Sequence, residues 1–258
     1  MNPFRLRVGP RSGPRARPRA LEQLLASVHL APRQSAKSLT LWPLLRPRGG
    51  RAASPAVPLA QALEDGFVSL ETAGSEHLAL ASRAPDPVLV LFGEELALER
   101  QTLAPSASVL VPPRSELALP VHRTPPARRS LGLSRAFRAL PGQLGFAAAR
   151  GDELVGLELV SPPELFARCF ATLLQLYASE APEPAEARAD RAAQDLGFDA
   201  PEPFLEALLG AEALPRETPG LGSELWLAGE GVSGCALVAG SVLHLLAFPT
   251  REAGGVLA

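Results

Sequence analysis

An α+β fold rich in antiparallel β-sheet, with one long amphipathic helix and a closing β-meander, is predicted by three observations. Short apolar runs bounded by Pro, Gly or Asp recur from residue 39 onward, as strands do. The segment 161–177 instead keeps its apolar residues at i, i+3, i+4 spacing, the pattern of a helix with one buried face. Strands come in runs and do not alternate with helices, which argues against a doubly wound nucleotide-binding sheet.

Residues 1–37 read as a disordered basic arm, rich in Arg, Pro and Gly. Within it, Leu21, Leu24, Leu25 and Val28 share one face of a short helix. The folded body is expected over 38–250, either as a single α+β domain or as two β-rich halves. Those halves would be 38–121 and 144–250, joined by an Arg-rich loop at 122–143. The strand 39–42 should end at Pro43. Residues 58–65 form a short helix, with Pro58 suited to its first turn and Gly66 to the position just past its end. Residues 67–71, 77–81 and 88–92 read as strands. Residues 108–111 and 116–121 flank Pro112-Pro113-Arg114-Ser115 and read as a hairpin. A second hairpin joins 144–149 to 153–160. In the long helix, Ser161 is the expected N-cap, Pro162 takes the first helical position and Glu164 closes a capping box. Its stripe is Leu165, Phe166, Cys169, Phe170, Leu173, Leu174 and Tyr177, which reads as core and not as a cofactor pocket. Residues 181–196 are a helix or linker, and 204–209 a short helix stopped by Gly210. The meander comprises 224–227, 235–239 and 242–248.

With 258 residues and 47% apolar composition, the chain can bury a sizeable core. Lys37 is its one lysine, so arginine abundance reflects coding bias more than function. The net charge of −2 conceals +7 over residues 1–38 and +5 over 122–138, leaving −14 for the rest. Flexible basic segments attracted to an acidic body explain this better than nucleic-acid binding, because no aromatics are interleaved with the first cluster. Cys169 and Cys235 form neither a disulfide framework nor a metal spacing, which fits a reducing compartment. No signal peptide and no run near the ~18 apolar residues of a membrane span is visible, so a cytoplasmic location without membrane contact is expected. His29, His77, His122 and His244 lack metal-ligand spacing. His77 and His244 read as packed or surface residues. No cofactor-binding motif is found, and none is expected; Gly229-Glu230-Gly231-Val232-Ser233-Gly234 reads as a turn between strands.

The candidate site is the end of the run 88–92, where Gly93 turns the chain and presents Glu94 and Glu95. A carboxylate there could act as a general base, or two could offer oxygens to a hard cation. The plainer alternative is a solvated pair, ion-paired with Arg100. Candidate ligand-binding residues are Arg100, Gln101, His122, Arg123 and Arg128, since guanidinium groups grip phosphate in pairs of hydrogen bonds.

Several blocks in a fixed order resemble one family. They are Trp42-Pro43-Leu44, residues 58–71, the run from Pro87 to Leu96, Val109-Leu110-Val111-Pro112 with Leu119-Pro120-Val121, residues 142–181 and residues 232–248. The chain in this way resembles the ADP-ribosylglycohydrolase- and rhodanese-phosphatase-associated protein domain, a prokaryotic family, over about residues 39–249, as a divergent and shortened member. It departs from the pattern in two places. Arg100-Gln101-Thr102-Leu103 stands where the family has Lys-Gln-Asn-Arg. His122-Arg123-Thr124-Pro125, then Arg128-Arg129, replaces a Ser-Cys-x-Glu pattern ending in Arg-Trp. The resemblance implies a link to nucleotide or ADP-ribose metabolism, and three readings stay open. The chain is a non-catalytic binding or accessory protein that has lost part of a polar constellation. Alternatively it is a hydrolase of a nucleotide-like or phosphorylated substrate, using Glu94 or Glu95 as base with Arg100 or Arg123 as electrostatic partner. Otherwise it is a protein–protein interaction module, dimerising through a sheet edge at 242–248.

Overall fold

The computed structural model describes residues 19–46, 56–98, 101–124, 136–178, 198 and 200–250. Elements of the N-terminal half are α1 (Arg19–Ser27), β1 (His29–Leu30), β2 (Gln34–Ala36), β3 (Leu39–Leu45), β4 (Val57–Pro58), α2 (Leu59–Glu64), β5 (Val68–Thr72), β6 (His77–Ser82), β7 (Val88–Val90), β8 (Leu96–Leu98), β9 (Gln101–Pro105), β10 (Val109–Val111) and β11 (Glu116–Arg123). The rest are β12 (Gln143–Arg150), β13 (Glu153–Ser161), α3 (Pro163–Ala178), α4 (Pro201–Gly210), β14 (Glu212–Arg216), β15 (Ser223–Gly229), β16 (Val232–Ala239) and β17 (Val242–Pro249).

A large antiparallel sheet runs β1-β3-β12-β13-β17-β16-β15-β14, with β2 also pairing on β3. Strand alternation gives it two apolar faces. Phe146, Ala148, Val160 and Leu237 face α3 and pack on Phe166, Phe170, Leu173 and Tyr177. Leu144, Ala147, Leu157, Leu159 and Leu245 face the other way, against α1 and α4. The two smaller sheets are β5-β6-β11-β9-β8 and β10-β7-β4. They share a third core with α2, built from Leu59, Leu78, Val88, Val90, Val109 and Leu119. The α+β class with antiparallel sheet is thus observed, and β4 with β7 is the one parallel pair among the described strands.

The long helix is α3. Its stripe from Leu165 to Tyr177 is buried while Glu164, Ala167, Arg168, Ala171 and Gln175 are exposed. It starts one residue later than an N-cap at Ser161 would place it. Ser161 still belongs to β13, and the Pro162 carbonyl accepts from the Leu165 and Phe166 amides.

Four expectations need correction. Residues 19–36, assigned to the disordered arm, form α1, β1 and β2, because Leu21, Leu24 and Leu25 find α4 to bury against. β3 does not end at Pro43. Pro43 sits where β1 and β2 leave a gap along that flank, so no ladder bond is lost for want of its N–H. β10 and β11 do not form a hairpin: β10 pairs with β7, while β11 pairs with β6 and β9. The strand 242–248 is no dimerising edge, because β17 lies between β13 and β16. Residues 181–196 lie outside the described part.

A cleft floored by a buried carboxyl

Where β7 ends, the chain turns at Phe92-Gly93 before β8 begins. Gly93 has φ +73°, a backbone conformation a residue with a side chain adopts only with strain. Its amide donates to the Pro105 carbonyl at 3.0 Å, and the Phe92 amide donates to Ser108 Oγ at 3.0 Å. The turn therefore hangs from the ends of β9 and β10, and residues 94–95 leave it in irregular backbone. On a regular strand two adjacent side chains would diverge. Here Glu94 and Glu95 both line one open cleft of about 740 Å³.

The cleft lies between α2, this turn and the exposed side of α3. Gln61 and Glu64 come from α2; Arg168, Thr172 and Gln175 come from α3. Arg168 ties the two helices together. Its Nε and one terminal nitrogen donate to Gln61 Oε1 at 3.0 and 2.7 Å, and the other donates to the Ala56 carbonyl at 3.0 Å. Most of its donor capacity is therefore committed within the protein.

Glu94 is the unusual group. It is only 5% exposed, and the one hydrogen bond to its carboxyl among the described residues is a long one, 3.4 Å from the Leu91 amide to Oε2. Oε1 has no partner among the described residues. Burial raises its pKa from the ordinary 4.5 to about 7, against the smaller opposing effect of the Leu91 amide. A carboxyl divided between its two forms near neutral pH can donate or accept a hydrogen bond, or move a proton. On the far wall the buried Thr124 hydroxyl also lacks a partner among the described residues.

Of the other residues singled out in the sequence, Gln101, His122 and Arg123 do not line this cleft. Gln101 opens β9 opposite Leu98. His122 is on β11, its Nδ1 3.2 Å from Ser106 Oγ, and Arg123 is exposed beside it. Arg100 and Arg128 lie outside the described residues. No group of three or more His, Cys, Asp or Glu residues that could hold a metal ion occurs among the described residues. No described helix is long and apolar enough to cross a membrane.

The turn and the cleft lie within a recognised sequence family. The profile of the ARG and Rhodanese-Phosphatase-superfamily-associated Protein domain matches residues 27–122 and 127–248. The chain belongs to that family. No curated protein and no solved structure matches it. Within this ARPP-1 domain the cleft draws on both matched segments, α2 and the turn from the first and α3 from the second, with Thr124 lying between the two.

The ARPP-1 domain also holds a polar arrangement that the sequence reading missed. His244 is neither a surface residue nor merely packed. Its Nδ1 is 2.6 Å from Ser108 Oγ, and its Nε2 is 2.8 Å from Glu158 Oε2. Tyr177 donates its hydroxyl to Glu158 Oε1 at 3.4 Å. Room for that hydroxyl comes from Gly156, where a Cβ would stand 2.8 Å from it. Exposure is 4% at Ser108, 1% at His244, 0% at Glu158 and 7% at Tyr177. Burial raises the Glu158 pKa, opposed by the His244 hydrogen bond and charge and by the Tyr177 bond. A signal was present in the sequence. Glu158 and His244 are lone polar residues inside apolar strand runs, and such residues need partners when buried.

Proposed function

We propose that this chain is an accessory, non-catalytic domain that binds a hydroxyl-rich, nucleoside-like small molecule in the cleft below α2 and α3. The observation behind this is Glu94. A carboxyl only 5% exposed that lines the cleft, with Oε1 unpartnered among the described residues, is costly to ionise, and a bound hydroxyl would satisfy it. The cleft volume falls within the ~300–1,000 Å³ typical of small-molecule sites. Among the described residues that line it, Glu64, Glu94 and Glu95 stand with one guanidinium, which already serves Gln61 and Ala56. That balance disfavours a phosphate inside the cleft and favours paired sugar hydroxyls, which carboxylates accept well. A link to nucleotide or ADP-ribose chemistry is retained, with the sugar as the recognised part. The family's association with other proteins supports a protein partner as well.

A second reading, hydrolysis, draws on the same residue. A carboxyl titrating near pH 7 is well matched to general base catalysis, with Arg168 as the neighbouring cation. Isothermal titration of the full chain with adenosine, its 5′-monophosphate and ADP-ribose separates the cases. Adenosine should bind at least as tightly as its monophosphate, and Glu94→Gln should weaken it about tenfold, the worth of one hydrogen bond to a charged group. Tighter binding of the phosphorylated compounds, indifferent to Glu94→Gln, would refute the binding reading. Product formation lost in Glu94→Gln would replace it with the hydrolase.

A further inference from the structure

The line from Tyr177 through Glu158 and His244 to Ser108 ends on the Phe92 amide, the first residue of the turn that presents Glu94 and Glu95. The Phe92 N–H can only donate, so Ser108 Oγ accepts it and keeps its own proton and a second lone pair for His244 Nδ1. With Glu158 accepting from the Tyr177 hydroxyl and from Nε2–H, a neutral His244 accepts the Ser108 hydroxyl's hydrogen bond at Nδ1. The line draws on α3, β13, β17 and the residue before β10. The remaining bonds within the turn are weaker: Glu94 N to the Leu91 carbonyl and Leu91 N to Glu94 Oε2 are both 3.4 Å. Ser108 and the Pro105 carbonyl are thus firm anchors of the turn among the described residues.

We propose that Ser108, His244 and Glu158 form a positioning relay for the cleft, fixing through the Phe92 amide how Glu94 and Glu95 face a ligand; this rests on reading the cleft as a ligand site. Stability alone does not account for the relay. A buried ion-capable pair is commonly matched or surpassed by apolar residues of the same volume. A nucleophilic serine does not account for it either. Ser108 is buried, does not line the cleft, and spends a lone pair on a backbone amide. Its neighbour on the ring is Nδ1, whereas the hydrolase triad uses Nε2.

The test uses the full chain and three variants. Ser108→Ala removes the anchor, Ser108→Thr keeps the hydroxyl, and Leu208→Ala weakens the core on the opposite face of the sheet. The readout is the titration midpoint of Glu94 by carboxyl NMR, identified by its loss in Glu94→Gln, beside adenosine affinity. Glu64, Glu95, Arg168 and Cys169, the ionisable neighbours from α2, the turn and α3, are unchanged in all of them. Ser108→Ala should move the Glu94 midpoint by about half a pH unit or more and weaken adenosine about fivefold. Ser108→Thr should restore both, and Leu208→Ala should lower Tm while moving neither. An unmoved midpoint in Ser108→Ala would overturn the proposal. The wild type offers a check that needs no variant: nitrogen NMR should show His244 protonated at Nε2 and accepting at Nδ1. The opposite tautomer, or labelling of Ser108 by a fluorophosphonate, would overturn the relay. A moved midpoint without adenosine binding would uphold the relay and remove the ligand reading instead.

Discussion

Replacing Glu94 by glutamine should stabilise the protein, and the gain should depend on pH. Below pH 4.5 Glu94 is protonated in both folded and unfolded chains, so the variant and the wild type should melt alike. Between 4.5 and about 7 the folded chain keeps a proton that the unfolded chain has released. Over that interval wild-type stability falls by about 1.4 kcal/mol per pH unit on account of this group, and above about 7 it levels off. The accumulated cost is about 3 kcal/mol at pH 8. Glutamine has the same shape, keeps an oxygen for the Leu91 amide and carries no charge to desolvate. Differential scanning calorimetry of both proteins from pH 4.5 to 8 reads the difference, which cancels the titration of every other group. A gain of about 3 kcal/mol corresponds to roughly 6–12 °C in Tm for a domain of this size. An equal difference at pH 5 and pH 8, or none at either, would refute the assignment of Glu94 as a desolvated carboxyl. A stabilising substitution that also weakens binding is the usual mark of a residue kept for function.

Three further outcomes rest on the packing. Phe146→Ala should cost about 3–5 kcal/mol by chemical denaturation, since Phe146 is fully buried and meets Phe166, Phe170 and Tyr177 edge-on at centroid distances of 6.3, 6.2 and 5.4 Å. Glu158→Leu and His244→Leu should each cost about 3–5 kcal/mol, and the double variant distinctly less than their sum, because each single change strands one buried partner. Simple additivity would mean the two groups are not coupled. Burial pushes both thiols up to about 12, so a disulfide reagent at pH 8 should react slowly with the native chain and rapidly with both Cys169 and Cys235 in denaturant.

Local signals in the sequence account for much of the fold and for two of the side chains that line the cleft. The 3.6-residue stripe of α3, the helix ending at Gly66 and the hairpin of β12 and β13 each depend on neighbours in the chain, so periodicity and turn chemistry reveal them. The pairing of β10 with β7 and of β11 with β6 and β9 does not. Proline-bracketed strands close together in sequence look like a hairpin until three-dimensional packing sends them to different sheets. Glu94 and Glu95 could be found because a buried strand ending at a glycine presents the next side chains at a surface. Gln61, Glu64 and Arg168 could not, since they meet Glu94 only when α2 and α3 pack on either side of the turn. The Ser108–His244 contact spans 136 residues and leaves no trace in either segment beyond an isolated polar residue.

The measurement closest to the central claim is a thermal-shift series on the full chain and on Glu94→Gln, with adenosine, ADP-ribose, AMP and inorganic phosphate. At a hundredfold excess over Kd a ligand of the folded state should stabilise the wild type by about 2.7 kcal/mol. Adenosine should give that shift in the wild type and only about half of it, about 1.4 kcal/mol, at the same concentration in Glu94→Gln, although the variant starts from the higher Tm at pH 8. Equal shifts in both proteins, or a cooperative melt that no compound moves, would contradict it.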